Sequence, residues 1–486
     1  MAELPTNKIL IFDIENTSKE VEDSELRYFG AYSYQNNKRY YIKGDSSNDF
    51  IQEMIDTHDI IVGFNCKKFD IPVMNKYNVT FFGKTIVDLW EILADAKLDQ
   101  KTRERTGGKE RGKYMKLKLR SWKLSEIVKA LELGEYKLDF DYKILKRLPS
   151  EWTDDEHKLI VEYLAQDITI TKRLFEYVHN FYAYFMSLLP EKNVARLKHI
   201  NSSVASLSYQ IICHQAGLPE TYGRIPEGER SSYAGGLVFL PSKEEHVGTV
   251  LCLDFNSLYP SIYRGYNLTM PAKADTPSEH VFRGTDLIKI EGAYRTDEYG
   301  RIEDVLAMLY HKRKEYKKAK DSREYLIKIL INSFYGASAS PIFEQIYNPV
   351  AAADCTRIGR QMVKFAAQYL DERGFEFLYG DTDSCYVALN DHSIEDAMRT
   401  VKEIEDILKQ NMPFPHDDFG FGLDATLDAI WFFPFGKEKV YKKKNYAYVE
   451  RKKDGSREVV IKGLTIMKGN VSKVAEKILN TYLVPQ

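Results

Sequence analysis

Three aspartates lie where predicted strands end, and their spacing suits the binding of divalent cations. Asp381 and Asp383 are two residues apart at the tip of a predicted hairpin, between apolar runs that end at Leu389. Asp254 follows the short apolar run 250–253, a pattern typical of a core strand. Close carboxylates repel each other, whereas hard cations such as Mg²⁺ prefer oxygen ligands. The three acids therefore predict a two-cation site for in-line phosphoryl transfer.

A second group of acids occurs nearer the N-terminus. Asp13 and Glu15 end one predicted strand, and Asp70 follows another. Tyr163 and Asp167 are four residues apart on a predicted helix, so both project from one face. Four carboxylates can bind two divalent cations, and Tyr163 can orient an attacking water. This pattern predicts a second site, for metal-assisted hydrolysis.

Two consecutive predicted helices carry cations and an aromatic ring on defined faces. Arg313 and Lys317 are spaced i and i+4 on the first helix. Lys328, Asn332 and Tyr335 are spaced i, i+4 and i+7 on the second, so they share a face that carries no acid. Such a face suits a triphosphate, with the ring available to pack on a nascent base pair.

The elements that position these residues follow from local sequence patterns. A strand over 8–15, a hairpin over 27–42, a helix over 48–57 and a strand over 60–65 indicate a mixed α/β domain. The segment Thr153-Asp-Asp-Glu156 is a capping box and predicts the start of a helix. The other predicted elements are helices over 303–320, 322–335 and 351–360, a hairpin over 377–389 and a strand over 441–449.

The composition describes a large chain without a secreted or membrane-spanning segment. The 486 residues suffice for about three domains, and 44% of them are apolar. No run of about 18 or more apolar residues occurs, so no transmembrane helix is expected. The N-terminal residues lack a charged region followed by an apolar stretch, which argues against secretion. The five cysteines form no C-x-x-C pair, so we expect reduced thiols and a cytoplasmic protein.

The net charge of −2 conceals three strongly basic segments. Residues 97–120 carry ten Lys and Arg against three acids, 307–320 carry six against one, and 437–468 carry eleven against four. Together these segments amount to +19, which leaves −21 on the rest of the chain. One basic segment is usually a solvated surface, but three segments beside two acid groups favour a polyanionic substrate.

Several motifs resemble those of the family B DNA polymerases, in the same order along the chain. Segments 254–262 (Asp-Phe-Asn-Ser-Leu-Tyr-Pro-Ser-Ile), 328–336 (Lys-Ile-Leu-Ile-Asn-Ser-Phe-Tyr-Gly) and 379–384 (Tyr-Gly-Asp-Thr-Asp-Ser) resemble motifs A, B and C. Asp13-Ile-Glu15, Asn65-Cys-Lys-Lys-Phe-Asp70 and Tyr163-Leu-Ala-Gln-Asp167 resemble the three exonuclease motifs of proofreading members. Tyr233-Ala-Gly-Gly236 resembles the linker motif. The strand 441–449 resembles the primer-binding motif, with Asn445 where the family usually has Arg.

The resemblance implies a role for each matched residue. Asp254, Asp383 and the backbone carbonyl of Phe255 would bind the cations of the synthetic site, with Asp381 as a ligand or close neighbour. Asp13, Glu15, Asp70 and Asp167 would bind those of the exonuclease site, with Tyr163 on the water. The nucleotide-binding residues would be Ser257, Leu258, Tyr259 (a steric gate against ribonucleotides), Arg313, Lys317, Lys328, Asn332 and Tyr335. DNA would be contacted by Asn65, Phe69, Tyr233, Gly235, Gly236, Lys443, Lys444 and Tyr446.

The resemblance also implies a multidomain architecture that combines α/β and α+β parts. The expected domains are an RNase H-like 3′–5′ exonuclease (1–190), a linker with the first part of an antiparallel palm (191–300), two-helix fingers (301–337), the second part of the palm (338–465) and a thumb remnant (466–486). The expected activity is template-directed synthesis from dNTPs on primer–template DNA, with proofreading. Each of the two sites would bind two Mg²⁺ or Mn²⁺ ions.

Departures from the family pattern leave alternative functions open. The first motif begins at Asp13, as in the protein-primed branch, yet only 74 residues separate Asp254 from Lys328, which leaves little room for that branch's insertions. Fewer than 20 residues follow Lys468, so we expect a weak grip on duplex DNA, compensated by a processivity factor or a thumb-bearing second subunit. The alternatives are the catalytic part of a split polymerase, an exonuclease-dominant protein with weak synthesis, and a non-enzymatic binding relic. Compactness favours a phage or mobile-element origin in a bacterial cytoplasm.

Overall fold

The computed structural model describes residues 8–44, 48–93, 110–111, 118–119, 122–134, 140–189, 204–224, 234–435 and 440–463. These residues belong to two compact units, which are described separately. The described residues up to 189 lie in the first unit, and those from Val204 onward lie in the second. None of the described helices is long and apolar enough to cross a membrane.

The first unit is built on a mixed five-stranded sheet. Its strands are β1 (Ile9–Asn16), β2 (Leu26–Ser33), β3 (Lys38–Lys43), β4 (Ile60–Gly63) and β5 (Thr85–Asp88), with a separate short pair, β6 (Glu110–Arg111) and β7 (Lys118–Leu119). The helices are α1 (Asn48–Asp56), α2 (Asp70–Asn75), α3 (Leu89–Leu93), α4 (Leu124–Ala130) and α5 (Asp154–Ser187). The sheet order is β3-β2-β1-β4-β5, in which β2 runs antiparallel to its neighbours β1 and β3, while β1, β4 and β5 run parallel.

Strand β1 is central to this sheet, and its sequence explains why. Its first four residues, Ile9 to Phe12, are apolar and buried on both faces, as expected of a strand covered on each side. Phe12 and Phe29 stack within the core, with ring centroids 6.0 Å apart. The predicted capping box of α5 is confirmed, because Thr153 Oγ1 accepts the Glu156 N–H at 3.2 Å and the Glu156 carboxylate accepts the Thr153 N–H at 2.9 Å. Helix α5 packs against β1 and β2.

The second unit contains a seven-stranded sheet in which every neighbouring pair is antiparallel. Its strands are β8 (Val238–Phe239), β9 (Glu245–Phe255), β12 (Glu376–Asp381), β13 (Ser384–Ala388), β14 (Phe421–Phe435), β15 (Val440–Arg451) and β16 (Arg457–Lys462), and β10 (Val281–Phe282) pairs separately with β11 (Tyr294–Arg295). The order is β16-β15-β14-β9-β13-β12-β8, so β9 is paired on both sides, with β14 and with β13. A cluster of aromatic side chains on this sheet includes Tyr379, Tyr386, Phe432 and Tyr446.

Six α-helices accompany this sheet in the part of the unit that the structure describes. They are α6 (Val204–Ala216), α7 (Leu258–Tyr266), α8 (Arg301–Lys318), α9 (Arg323–Ser338), α10 (Pro349–Glu372) and α11 (Ile394–Gln410). Helix α6 packs against both α8 and α9, and α7 contacts α8, α9 and α10. Helix α10 starts slightly before and ends well beyond the predicted range 351–360. It begins where the Asn348 side chain accepts the Ala351 N–H at 2.9 Å and Pro349 occupies the first helical position.

Candidate active sites

Asp254 and Asp383 lie at the same end of two paired strands. Asp254 is near the end of β9, and Asp383 is in the turn before β13. Ser384 is the register partner of Asp254, and the Phe255 N–H donates to the Asp383 carbonyl at 2.9 Å. The turn is tight, because Thr382 has a φ of 65° and the Asp383 N–H donates to the Asp381 carbonyl at 2.8 Å. Strand pairing thus brings together the two acids predicted to share a cation site.

The electrostatics of this pair favour a cationic ligand. Burial, followed by the charges of Asp383 and Asp424, raises the pKa of Asp254 to about 7 against the opposing effect of Lys328 and Arg313. Burial, followed by the charge of Asp381, also raises the pKa of Asp383. Acids that hold protons this tightly are in a region of excess negative potential. Buried oxygen donors of this kind fit Mg²⁺ or Mn²⁺.

Asp381 and Asp424 each influence a different member of the acid pair. Asp381 is mostly buried, accepts a hydrogen bond from Thr382 Oγ1 at 2.8 Å, and lies 3.7 Å from Lys444 Nζ. Its charge acts on Asp383, whereas Asp424 is the further acid that acts on Asp254. Sequence reasoning missed Asp424, which follows the register partner of Asp254 by two residues and lies at an irregularity of β14. The signal that could have identified Asp424 is an isolated acid within a strand pattern.

The predicted nucleotide-binding residues of motif A surround the start of α7. Ser257 adopts a left-handed conformation, with φ 48° and ψ 54°, immediately before the helix. Its Oγ accepts a hydrogen bond from Arg313 Nη1 at 2.5 Å, and Arg313 Nε donates to Glu324 Oε1 at 2.8 Å. Leu258 is buried, so only its backbone is placed to meet a ligand. Tyr259 packs on Tyr335 with ring centroids 4.6 Å apart, which joins the predicted steric gate to motif B.

The other predicted cations of this region are exposed. Lys328 and Asn332 share the exposed face of α9, and Lys317 is exposed on α8. The charge of Lys328 lowers the pKa of both Asp254 and Asp383, so its ammonium group lies close to both acids. The structure therefore places Lys328 beside the acid pair. Lys317 is not among the groups that influence either acid.

The glycines of the linker motif differ sharply in their surroundings. A Cβ atom on Gly236 would lie 2.8 Å from both Cγ2 and Oγ1 of Thr382, whereas a Cβ on Gly235 would meet nothing within 4 Å. Neither glycine has a positive φ. The Thr382 N–H donates to the Leu237 carbonyl at 2.8 Å, which fixes this segment to the turn that carries Asp383. The backbone of Gly236 is thus approached closely by another part of the protein, the side chain of Thr382. Tyr233, the remaining predicted contact of this motif, lies outside the described residues.

The predicted primer-binding strand has exposed lysines and a buried tyrosine. Lys443 and Lys444 are exposed on β15, and both line a cavity of about 750 Å³ that also includes Asp424. The Tyr446 ring is only 6% exposed, and its hydroxyl lies 3.1 Å from the Tyr386 hydroxyl. Tyr446 also lines this cavity, so its contact with DNA stays a prediction. Its ring supports the strand that presents the lysines.

In the first unit, three predicted acids converge. Asp13, Glu15 and Asp167 each offer a carboxylate oxygen, and these oxygens lie within 4.8 Å of one another. Asp70, the fourth predicted ligand, is not part of this group, although it is buried at the start of α2. Among the described residues this is the single group of three potential ligands that meets so closely. An oxygen-only set suits Mg²⁺ or Mn²⁺.

Tyr163 is positioned next to this acid group by aromatic packing. Its ring stacks on Phe140 with centroids 4.6 Å apart, and its hydroxyl lies 2.6 Å from that of Tyr142. Burial raises the pKa of Tyr163 strongly, and the charge of Asp167 raises it further. The phenol therefore stays protonated at neutral pH. Tyr142, which is half exposed, is a neighbour that sequence reasoning missed.

The two residues predicted to contact a DNA strand in this unit lie just before α2. Asn65 has a positive φ of 58°, and its N–H donates to Asp88 Oδ1 at 2.8 Å. Asp88 is fully buried and also accepts the Lys67 N–H at 3.1 Å. Phe69 is partly buried and packs against the core cluster of the sheet. Asp88 therefore fixes the backbone of the segment that carries both residues.

Known proteins resemble this chain over most of its length. A DNA polymerase of Archaeoglobus fulgidus is 25% identical over 512 aligned residues, which cover 98% of this chain and 59% of that protein. The DNA polymerase delta catalytic subunit of Schizosaccharomyces pombe is 24% identical over 408 residues, with coverages of 74% and 37%. The chain thus spans less than two thirds of the length of these relatives.

The fold also matches a solved structure. The family B DNA polymerase from the hyperthermophilic archaeon Pyrobaculum calidifontis aligns with a TM-score of 0.56 and 19% identity, over 98% of this chain and 65% of that one. The sequence model described as DNA polymerase family B matches residues 207–484. That range is more than half of the chain and contains both Asp254 and Asp383. The protein therefore belongs to DNA polymerase family B.

Proposed function

We propose that the protein is a template-directed DNA polymerase that extends a primer 3′-hydroxyl with dNTPs. The observation that carries this proposal is the pairing of Asp254 and Asp383 at one end of adjacent strands. Two Mg²⁺ or Mn²⁺ ions bound by these carboxylates and the Phe255 carbonyl would activate the hydroxyl and neutralise charge on the reacting phosphates. Family membership and the A. fulgidus relative, named as a DNA polymerase, support the same activity.

The protein's own groups would bind and orient the nucleotide. Arg313, held against Ser257, and Lys328, close to both acids, present positive charge to a triphosphate. The paired rings of Tyr259 and Tyr335 form a wall on which the sugar and base can pack. Residues 301–337 would thus act as fingers above a palm formed by the seven-stranded sheet. Catalysis then depends on positioning and charge neutralisation, without a covalent intermediate.

We propose a 3′–5′ exonuclease for the first unit. The convergence of Asp13, Glu15 and Asp167 supports this activity, because it forms an oxygen-rich site for a metal-activated water. Tyr163 would hold that water through its protonated hydroxyl. Asn65 and Phe69 would contact the 3′ end of the strand to be trimmed.

The two activities can be tested with single substitutions in the full chain. We expect Asp383→Asn to abolish primer extension with Mg²⁺ and dNTPs while excision of a mismatched 3′ end continues. We expect Asp13→Ala to do the reverse. Absence of extension in the wild-type protein, with excision intact, would favour the exonuclease-dominant alternative. Loss of both activities in either variant would contradict two separate sites.

The relatives also bear on partners. The S. pombe relative is named as the catalytic subunit of its polymerase. We propose that a processivity factor or a thumb-bearing second subunit increases the grip of this protein on primer–template DNA. Extension assays on a long template, with and without candidate partners, measure this as the length added per binding event.

A further inference from the structure

A basic cleft lies on the first unit, away from the acid group described above. Its cations come from two segments, with Lys38 and Arg39 at the start of β3 and Lys172 and Arg173 on α5. Among the described residues, the only acid in its lining is Glu176. The cleft therefore has a local charge of +3.

The cleft is on a different face of α5 from the candidate exonuclease site. Each helical residue advances the direction of its side chain by about 100°. Lys172, Arg173 and Glu176 therefore project roughly opposite to Asp167. None of the lining residues belongs to the acid group of Asp13, Glu15 and Asp167. The cleft is thus separate from the site already proposed for excision.

The carboxylate of Glu176 in the cleft already accepts hydrogen bonds from neighbouring side chains. Glu176 Oε1 accepts hydrogen bonds from Lys172 Nζ at 2.6 Å and from the Tyr34 hydroxyl at 3.1 Å. Lys172 also lies over the Tyr32 ring, 5.2 Å from its centroid. Glu176 and Lys172 therefore neutralise each other, and the carboxylate does not compensate Lys38 or Arg39.

Lys38 and Arg39 face the cleft without a compensating acid among the described residues. Arg39 Nη2 donates to Thr169 Oγ1 at 3.0 Å, and Thr169 Oγ1 donates to the Ala165 carbonyl at 2.7 Å. This neutral hydroxyl orients the guanidinium group but leaves its charge uncompensated. Lys38 is exposed and makes no ion pair with any residue in the described ranges. Like charges held together in this way repel each other unless an external anion binds.

The size of the cleft leaves room for several linked phosphates. Its volume is about 680 Å³. At about 30 Å³ per water, this space corresponds to more than twenty waters. Cations contributed by two separate elements can contact successive phosphates, as in grooves that follow a single strand.

We propose that this basic cleft binds the phosphate backbone of single-stranded DNA as a secondary site, outside both candidate active sites. The choice of DNA rests on family membership and on the proposed polymerase function, since the protein must already handle single strands. The site would add affinity without sequence preference, because backbone contacts carry no base information.

The test measures binding of a fluorescent, phosphorothioate-linked oligothymidylate to the full chain in EDTA, where excision cannot occur. We expect the double substitution K38E/R39E to weaken binding about tenfold. It should also reduce the slope of log Kd against log salt by about 1.4, because each single-strand phosphate contact contributes about 0.7. The matched control K19E/K129E makes the same charge change at exposed lysines outside the cleft, and it should stay within about twofold of wild type.

A second variant changes the charge in the opposite direction. Glu176→Gln retains an acceptor for Tyr34 and Lys172 but leaves the cleft more positive, so it should tighten oligonucleotide binding by about threefold. Equal losses in K38E/R39E and in the control would assign the effect to net charge and overturn the proposal. So would unchanged binding in K38E/R39E or in Glu176→Gln. Inorganic tripolyphosphate tests whether the cleft binds small anions instead of DNA. If it binds in the cleft but does not change oligonucleotide binding, the cleft is a small-anion site.

Extension of a primer on a template with a two-nucleotide overhang separates this proposal from the polymerase proposal. K38E/R39E should retain that activity, because neither residue belongs to the second unit. If wild type and K38E/R39E both fail to extend the primer, the polymerase proposal is wrong. The oligonucleotide measurement still shows whether the cleft binds single-stranded DNA.

Discussion

Arg313 donates a hydrogen bond at 2.5 Å to the hydroxyl of Ser257, although the two residues come from different parts of the chain. Ser257 precedes α7 in a left-handed conformation, and Arg313 is on α8. Glu324 on α9 fixes the other side of the guanidinium group at 2.8 Å. The orientation of Arg313 therefore depends on an acid that no motif had singled out.

Glu324→Ala should impair nucleotide binding. Both side chains of the Arg313–Glu324 pair are largely buried, at 13% and 15% exposed. A hydrogen bond between charged groups contributes about 1.5–3 kcal/mol, so we expect the KM for dNTP to rise about tenfold with a smaller change in kcat. Glu324→Gln keeps the acceptor and should recover most of the loss. Glu315→Gln, on an exposed ion pair, is the control, and an unchanged KM in Glu324→Ala would contradict the positioning role.

Gly236→Ala should disturb the turn that carries Asp383. The added Cβ would lie 2.8 Å from the short, β-branched side chain of Thr382, which cannot move aside without shifting the turn. We expect the rate of primer extension to fall at least tenfold. Gly235→Ala is the matched control, because its Cβ meets nothing within 4 Å. The combination of Gly236→Ala with Thr382→Ala should restore part of the rate, and equal rates for the two single alanine variants would refute the packing argument.

Asp424→Asn should raise the Mg²⁺ concentration that extension requires. Asp424 adds negative potential at Asp254, as the raised pKa of that carboxyl indicates. Loss of a nearby charge weakens the attraction of a divalent cation, so we expect half-saturation at a several-fold higher Mg²⁺ concentration. Asp417→Asn, an exposed acid on the same unit, should have no such effect. Identical Mg²⁺ titrations for wild type and Asp424→Asn would rule out this contribution.

Glu303 should make the stability of the second unit depend on pH. It is fully buried on α8, accepts the Thr269 N–H at 2.9 Å, and burial raises its pKa from 4.5 to about 7. The folded state therefore binds the proton more tightly, and stability present below about pH 4.5 is lost as the pH rises through about 7. At about 1.4 kcal/mol per pKa unit, the loss amounts to about 3 kcal/mol.

Glu303→Gln measures this effect, because glutamine keeps the acceptor but does not titrate. We expect the melting temperature of wild type to fall relative to that of the variant between pH 5 and pH 8. Asp304→Asn, at an exposed neighbouring position, is the control. A constant difference across this pH range would show that Glu303 titrates normally.

Local patterns were enough to predict the family and much of the fold, but they did not determine where every side chain lies. The convergence of Asp254 with Asp383 followed from apolar strands that end in acids, and the capping box at Thr153 located the start of α5. Asp424 escaped because its direction depends on an irregularity in strand pairing, which no single segment encodes. The burial of the Tyr446 ring was also not evident from the sequence, because a tyrosine in an alternating strand can face either side.

The basic cleft was also beyond a reading of the sequence alone. Lys38 and Arg39 are separated from Lys172 by more than 130 residues, and neither pair belongs to a segment with a marked excess of charge. Only the packing of α5 against the sheet brings these cations together. Counting charges along the sequence detects cations that are close together in the chain, whereas these cations are close together only in the folded structure.

The central position of β9 has a consequence for how the protein becomes active during its synthesis. Asp254 acquires its neighbours only when β13 and β14 have been made, and these strands come more than 120 residues later in the chain. Until then the emerging polypeptide exposes an unpaired strand edge, the kind of surface on which nascent chains associate. The sheet of the first unit is complete by Asp88. We therefore expect the first unit to mature on the ribosome well before the second.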